Sequence, residues 1–256
     1  MTTIRNTSKY GWKRDLPDKR DLKFKTIMPV KKLPEKVDLR PFCPKKVYDQ
    51  KNIGACTACA VAAAIEFDRI KQKLNPIFTP SRLFIYYNTR ILEGTVQEDA
   101  GASLRDTMKS VSSYGAPSEI LWPYIESKFM QKPSSQAYKD GLRHKILKYM
   151  SVEQTLAHIK GCLVEGYPIV LGISIYESFE TPEITKSGII PMPKADETLL
   201  GGHAIFLCGF NDKTKTYLGR NSWGQKWGQA GHFEIPYDYI LDPDLASDFW
   251  TVRLVI

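Results

Sequence analysis

Two thiols three residues apart, Cys56 and Cys59, stand in the stretch "DQKNIGACTACAVAAAIEF" (residues 49–67). Cys56 follows Gly54-Ala55 at the expected first turn of a helix. Unpaired backbone N–H groups and the helix dipole favour an anion there, so the position should lower a thiol pKa. A lowered pKa serves a hydrolytic nucleophile and a redox cysteine equally well, and the local sequence leaves both open. A Cys-x-x-Cys redox pair is expected to follow a strand within a βαβ frame, whereas "VYDQKNIGA" reads as a loop. A four-cysteine metal site needs a second paired motif, which is missing, so no metal is expected. A nucleophile needs a distant base, a group that orients the base and an oxyanion donor. Gln50, six residues before Cys56, carries an amide able to donate to an oxyanion. His203 opens a strand in "GGHAIFLCGF", 147 residues after Cys56, and Asn221 follows 18 residues later in "YLGRNSWGQKWG". A hairpin of these two strands would set His203 beside Asn221.

The elements that must position these residues follow from periodicity and punctuation. From Cys56, apolar residues recur at Ala60, Ala63, Ala64, Phe67 and Ile70, a helical spacing that Asn75-Pro76 ends. Helical patterns return over 81–94, 103–115 and 136–165, with Gly94, Gly115 and Gly166 placed as C-terminal stops. After Pro168 the chain turns to β-branched and aromatic runs: "PIVLGISIY", "HAIFLCGFN", "TYLGRNSW", "GHFEI" and "DFWTVRLVI". A helical front and a strand-rich back predict an α+β protein of two lobes with a cleft between them.

The 256 residues, 43% of them apolar, suffice for a sizeable core. No run approaches the roughly 20 apolar residues of a membrane helix. The N-terminus lacks the apolar stretch of a secretory signal, so Asn6-Thr7-Ser8 reads as a chance sequon and the expected location is cytoplasmic or virion-associated. Five cysteines, an odd and sparse set, suit reduced thiols better than a disulfide framework. The net charge of +8 is unevenly placed: residues 1–50 carry 14 of the 36 Lys and Arg but only 6 of the 28 Asp and Glu. Residues 1–32 read as an extended basic arm. Its "KYGWKRDLPDKRDLKFK" mixes Asp15, Asp18 and Asp21 with Trp12, Leu16, Leu22 and Phe24. That mixture suits an arm packing on its own protein better than a nucleic-acid tail.

Taken together, Gln50 and Cys56 in "DQKNIGACTA", His203 in "GGHAI" and Asn221 in "NSWG" resemble the papain-like cysteine peptidase family. "LPEKVDLR" resembles the start of its mature domain, and "GASLRDTMKSVSSYGAPSEILWPY" the substrate-facing wall of its left lobe. The resemblance covers residues 33–256 and implies the papain-like two-lobe fold: a helical lobe over about 50–165 and a β-barrel-like lobe over about 166–256, with the active site in the cleft. It implies Cys56 as nucleophile in an ion pair with His203, an oxyanion bound by Gln50 and the Cys56 N–H, Asn221 orienting His203, and Trp223 shielding that hydrogen bond. Gly101 and Ala102 would meet the substrate backbone, with Leu104, Gly201 and Ala204 near its side-chain pocket. Ile53 replaces the family's disulfide cysteine and Thr57 the Trp that often follows the nucleophile, as in the signal-less, disulfide-poor bacterial, archaeal and viral branch. Without an inserted His-His loop, endopeptidase action is expected, by a monomer with no cofactor. A polypeptide substrate and a protein inhibitor are the expected partners, with no nucleic acid or membrane. The arm could act as a short pro-segment or as packing. The rivals are an inactive peptide-binding relative and a Cys56/Cys59 oxidoreductase; a reversible Cys56–Cys59 link is the sharper reading of Cys59, and a buried core thiol the plainer one. Cys43, Cys162 and Cys208 read as small fillers, and His144, His158 and His232 as structural.

Overall fold

The computed structural model describes residues 10–25 and 33–256, so the Asn6 sequon lies outside the described residues. Helix α1 (Cys56–Lys71) is buried from Cys56 to Arg69. It packs against strands and helices on every side, which requires small or apolar residues all around its circumference. Ala58, Ala60, Ala62, Ala63 and Ala64 meet that need and let neighbouring backbones come close. Helix α2 (Arg82–Glu93) begins where the Ser81 hydroxyl accepts from the Phe84 N–H and ends at Gly94 in the left-handed region. Strand β3 (Ala102–Ser103) leads into α3 (Leu104–Tyr114), whose Ser103 cap accepts from the Asp106 N–H.

The segment 136–165 is not one helical stretch. It divides into α4 (Ser135–Gly141), strand β4 (Ile146–Ser151) and α5 (Leu156–Val164). Antiparallel pairing of β4 with the C-terminal strand overrides the local helical pattern, and the Thr155 hydroxyl restarts the helix as an N-cap.

The back half supplies β5 (Ile169–Tyr176), α6 (Pro182–Ser187), β6 (Leu199–Asn211), β7 (Thr216–Arg220), β8 (His232–Pro236), α7 (Tyr237–Leu241) and β9 (Ala246–Val255). The strands form a sheet in the order β4-β9-β5-β6-β7-β8, and β2 (Lys36–Asp38) also pairs with β6. The sheet is open: β4 and β8 are its two ends and do not pair, so the expected barrel-like closure is absent. Strand β6 is central, pairing with β5, β7 and β2 and packing on α1. Strand β1 (Trp12–Lys13) leaves the arm to pair, in parallel, with β3.

All five cysteines are buried free thiols. His144 stacks on Phe78, His158 bonds the Thr155 cap, and burial pushes His232 down to about 4. No helix among the described residues is long and apolar enough to cross a membrane.

Asp68 on α1 is 1% exposed, and neither carboxylate oxygen meets a donor among the described residues. Burial pushes its pKa up to about 7, against the pull of Lys71 and Arg253. The folded state therefore favours the neutral acid. The stability Asp68 contributes is fully present below its unfolded value of about 4 and is lost as pH rises to about 7. Asp68→Asn should stabilise the protein by up to about 4 kcal/mol at pH 8, with most of the gain gone near pH 4. Paired thermal or urea melts at the two pH values check this, and an equal effect at both would refute it.

Candidate active site

The loop before α1 is held by the turn after β7. Gln50 N–H donates to the Ser222 carbonyl at 2.8 Å, Gly224 N–H donates to Tyr48 at 2.9 Å, and Asp49 bridges to Trp223. Side chains repeat the link: the Ser222 hydroxyl donates to Gln50 Oε1 at 2.7 Å, and Gln50 Nε2 donates to the Ile53 carbonyl at 3.1 Å. The Gln50 amide, 2% exposed, is thus fixed in orientation three residues before the start of the Ile53–Ala55 turn that delivers Cys56 to the first position of α1. Ala55, the N-cap, offers no side-chain acceptor to the first turn of the helix.

His203 sits on β6 opposite Ile173 of β5 and is fully buried. Its Nε2 lies 2.9 Å from Asn221 Oδ1, which also accepts the Ser222 N–H at 2.8 Å. Trp223 covers this pair, its ring 4.8 Å from the imidazole with 32° between the planes. Phe179 and Trp227 back the indole. The opposite wall is tied to the nucleophile loop through Asp99: its Oδ1 accepts from Gly54 N–H at 2.9 Å and from the Tyr86 hydroxyl at 2.6 Å, and that hydroxyl accepts from Gly101 N–H at 3.0 Å.

The arm lies in the groove between these walls. Ala102 N–H donates to the Gly11 carbonyl at 2.7 Å, and Trp12 is in register with Ala102. The approach is so close that a Cβ on Gly11 would stand 1.9 Å from the Gly54 carbonyl oxygen, and one on Gly101 would stand 2.1 Å from that of Gly11. Tyr10 lies over the other side, its ring 6.2 Å from His203 and 6.3 Å from Trp223, with its hydroxyl on the Glu180 carboxylate. The Trp12 indole rests on Gly172 and Gly202, and its Nε1 donates to Asp248 Oδ2 at 3.0 Å.

Beneath the arm Cys56 has no exposure. Burial pushes its thiol up to about 11, opposed by the backbone N–H groups of Ala204, Gly11, Thr57 and Cys56 itself. The helix start alone suggested a lowered value; in this covered arrangement desolvation outweighs it. Strand β6, which carries His203 and Ala204, packs on α1, which begins at Cys56. Cys59 is 1% exposed, and burial pushes it up to about 12. So protonated and enclosed a thiol is poorly suited to exchange chemistry.

Gln50, Cys56, His203, Asn221 and Trp223 converge, and Gly101 and Ala102 form the facing wall. Ala204 follows His203 on β6. Gly201 (φ 150°) lies against Tyr10 rather than Trp12, and Leu104 is wholly buried as the first residue of α3. Gly172 and Asp248, which Trp12 meets, stand out from no motif. A lone glycine within the strand run "PIVLGISIY" is a sign of close approach that could have found Gly172.

A family model described as papain family cysteine protease matches residues 33–240. An uncharacterised peptidase C1-like protein of Acanthamoeba polyphaga mimivirus is 40% identical over 279 aligned residues, spanning 100% of this chain and 90% of the viral protein. Xylellain, a cysteine protease from Xylella fastidiosa, has a crystal structure similar to this one: TM-score 0.92, 42% identity, covering 99% of this chain and 98% of xylellain. Digestive procathepsin L 3 of the Tenebrio molitor larval midgut shares the fold at 16% identity and a TM-score of 0.71, over 92% of this chain and 75% of its own. A family match over most of the chain, joined to a thiol, an imidazole and two amides gathered in one groove, leads to one assignment: the chain belongs to the papain family of cysteine proteases.

Proposed function

We propose that this chain is a thiol endopeptidase whose groove is plugged by its own arm, with residues 1–32 as the arm and 33–256 as the peptidase domain. The observation that carries the reading is the seat of the arm at the start of α1: Ala102 N–H donates to the Gly11 carbonyl at 2.7 Å, a Cβ on Gly11 would stand 1.9 Å from the Gly54 carbonyl oxygen, and Tyr10 lies beside His203 while Trp12 rests on Gly172 and Gly202. Arm residues on both sides of Gly11 occupy the groove, so a polypeptide could also extend both ways, as internal cleavage requires.

With the groove open, Cys56 gives its proton to His203 and attacks the substrate carbonyl carbon as thiolate. Asn221 occupies Nε2, so Nδ1 is the nitrogen left to face the sulfur. The oxyanion accepts from the Cys56 N–H and from the second Nε2 hydrogen of Gln50, the first being committed to Ile53. The imidazolium then protonates the departing amine, leaving an acyl-enzyme. Water attacks the thioester, giving its proton to His203, and the thiol regains a proton as the acid leaves. Trp223 keeps water from the His203–Asn221 bond throughout.

Gly11→Val should unseat the arm, because a side chain at that position collides with the Gly54 carbonyl. Alkylation of Cys56 by iodoacetamide at pH 7 should then run at least about tenfold faster than in the wild type, as relieved desolvation lowers the thiol pKa. Equal rates would refute the plug. In the same background Gln50→Ala should cut kcat by about 10²–10³, as loss of an oxyanion donor does, and Cys56→Ala should abolish hydrolysis. Cys59→Ala should retain it, which an oxidoreductase would not allow. Fast alkylation with no cleavage of any peptide in a diverse library would instead identify a peptide-binding relative.

A further inference from the structure

The residue after Gln50 is held in an uncommon conformation. Lys51 has φ 54°, in the left-handed region, where a residue with a side chain persists only if its surroundings impose it. Part of the constraint is local: Lys51 N–H donates to Asp49 Oδ1 at 2.9 Å. The rest comes from one stretch that braces the turn on both sides. The Tyr124 hydroxyl donates to the Gln50 carbonyl at 2.8 Å, and Asn52 N–H donates to Glu126 Oε1 at 2.8 Å.

The brace is anchored at the start of α2. The Ser81 hydroxyl donates to the Trp122 carbonyl at 2.6 Å. Arg82, 4% exposed, donates to both Glu119 carboxylate oxygens at 2.8 Å and to the Asp49 carbonyl at 3.1 Å. Its guanidinium lies over the Tyr124 ring, 4.1 Å from the centroid, which keeps the ring where its hydroxyl meets Gln50. Burial holds the Tyr124 phenol well above its ordinary value, so it remains a donor.

Gln50 is thus gripped from two directions. Ser222 fixes its N–H and its side-chain oxygen, and Tyr124 fixes its carbonyl. That carbonyl belongs to the peptide joining Gln50 to Lys51. Rotation of this peptide would release Lys51 from the left-handed region and turn the Gln50 backbone with it. A displacement of about 1 Å at a reacting group can cost about a hundredfold in rate, so the amide must not drift. We infer that Tyr124 is a positioning residue for hydrolysis: its hydroxyl locks the Gln50–Lys51 peptide and so keeps the Gln50 amide aimed at the oxyanion. The inference rests on the peptidase reading, in which Gln50 is the oxyanion donor.

The test uses the full-length chain carrying Gly11→Val. Adding Tyr124→Phe removes one oxygen and leaves the ring under Arg82. It should lower kcat about tenfold with KM little changed, the pattern of an interaction made in the transition state. In a Gln50→Ala background it should cost nothing further, because both changes act through one amide. An unchanged kcat in Tyr124→Phe overturns the inference. So does an equal loss with and without the Gln50 amide, which is what a residue that merely stabilises the fold would give. Exchange of the Gln50 side-chain amide hydrogens with water, read by heteronuclear NMR and assigned by the signals missing in Gln50→Ala, tests the grip apart from hydrolysis. Tyr124→Phe should speed it by at least about tenfold, and equal exchange overturns the inference. Faster exchange with no cleavage of any library peptide upholds the grip and refutes the peptidase. Cleavage that falls with Gln50→Ala but not with Tyr124→Phe does the reverse.

Discussion

Everything at this site depends on the clasp between the loop before α1 and the turn after β7. The nucleophile is carried by the helical half and the imidazole by the sheet, 147 residues apart in sequence, so neither element positions the other through local structure. Two backbone hydrogen bonds of 2.8 and 2.9 Å and the Ser222–Gln50 side-chain bond join the two loops. One end of the clasp, Asn221-Ser222, holds the imidazole; the other is the Gln50 amide. A shift of either loop would therefore displace imidazole and amide together, and their relative geometry is protected because they share the same few bonds.

The arm exploits that geometry by backbone contact. Gly11 meets Gly54 and Gly101 at distances no side chain would permit, which brings its carbonyl to the Ala102 N–H and its backbone over the start of α1. The consequence is electrostatic. An anion at the start of a helix is favoured when the first-turn N–H groups and water both serve it; with water gone, burial outweighs the remaining N–H groups and the thiol stays protonated. What lies over the cysteine thus sets its protonation, with no change in the residues around it.

The family was legible in the sequence because it is written in residue types at fixed places: a thiol after Gly54-Ala55, a histidine opening a strand, Asn-Ser-Trp-Gly at the end of the next. Helices α2 and α3 were legible because their caps are local, Ser81 and Ser103 before and Gly94 and Gly115 after, and α1 by the spacing of its apolar residues. Strand β4 was not, since its identity comes from β9, a hundred residues on, and the short helices α6 and α7 carry too few turns to show a period. The openness of the sheet was hidden for a related reason: closure depends on whether two end strands meet, and no single strand encodes that. Asp248 lay in an apolar terminal run, where only three-dimensional contact with Trp12 and Asp15 distinguishes it from an ordinary strand residue.

The arm's composition acquires a physical meaning from these contacts. By charge it is a basic segment, yet its bonds to the body run mostly through its acids and aromatics. Asp15 accepts from the Arg105 N–H and from the Trp250 indole, Asp21 pairs with the Arg105 guanidinium, and Trp12 reaches Asp248. Arg20, in contrast, turns back to Asp18 within the arm, and Lys13 makes only a long contact of 3.5 Å with Glu93. Partly buried ion pairs and indole hydrogen bonds hold the segment, while exposed lysine pairs add little. An arm seated in this way is held at one end by the Trp12 indole on Asp248 and at the other by Gly11, whose close fit against Gly54 and Gly101 depends on having no side chain.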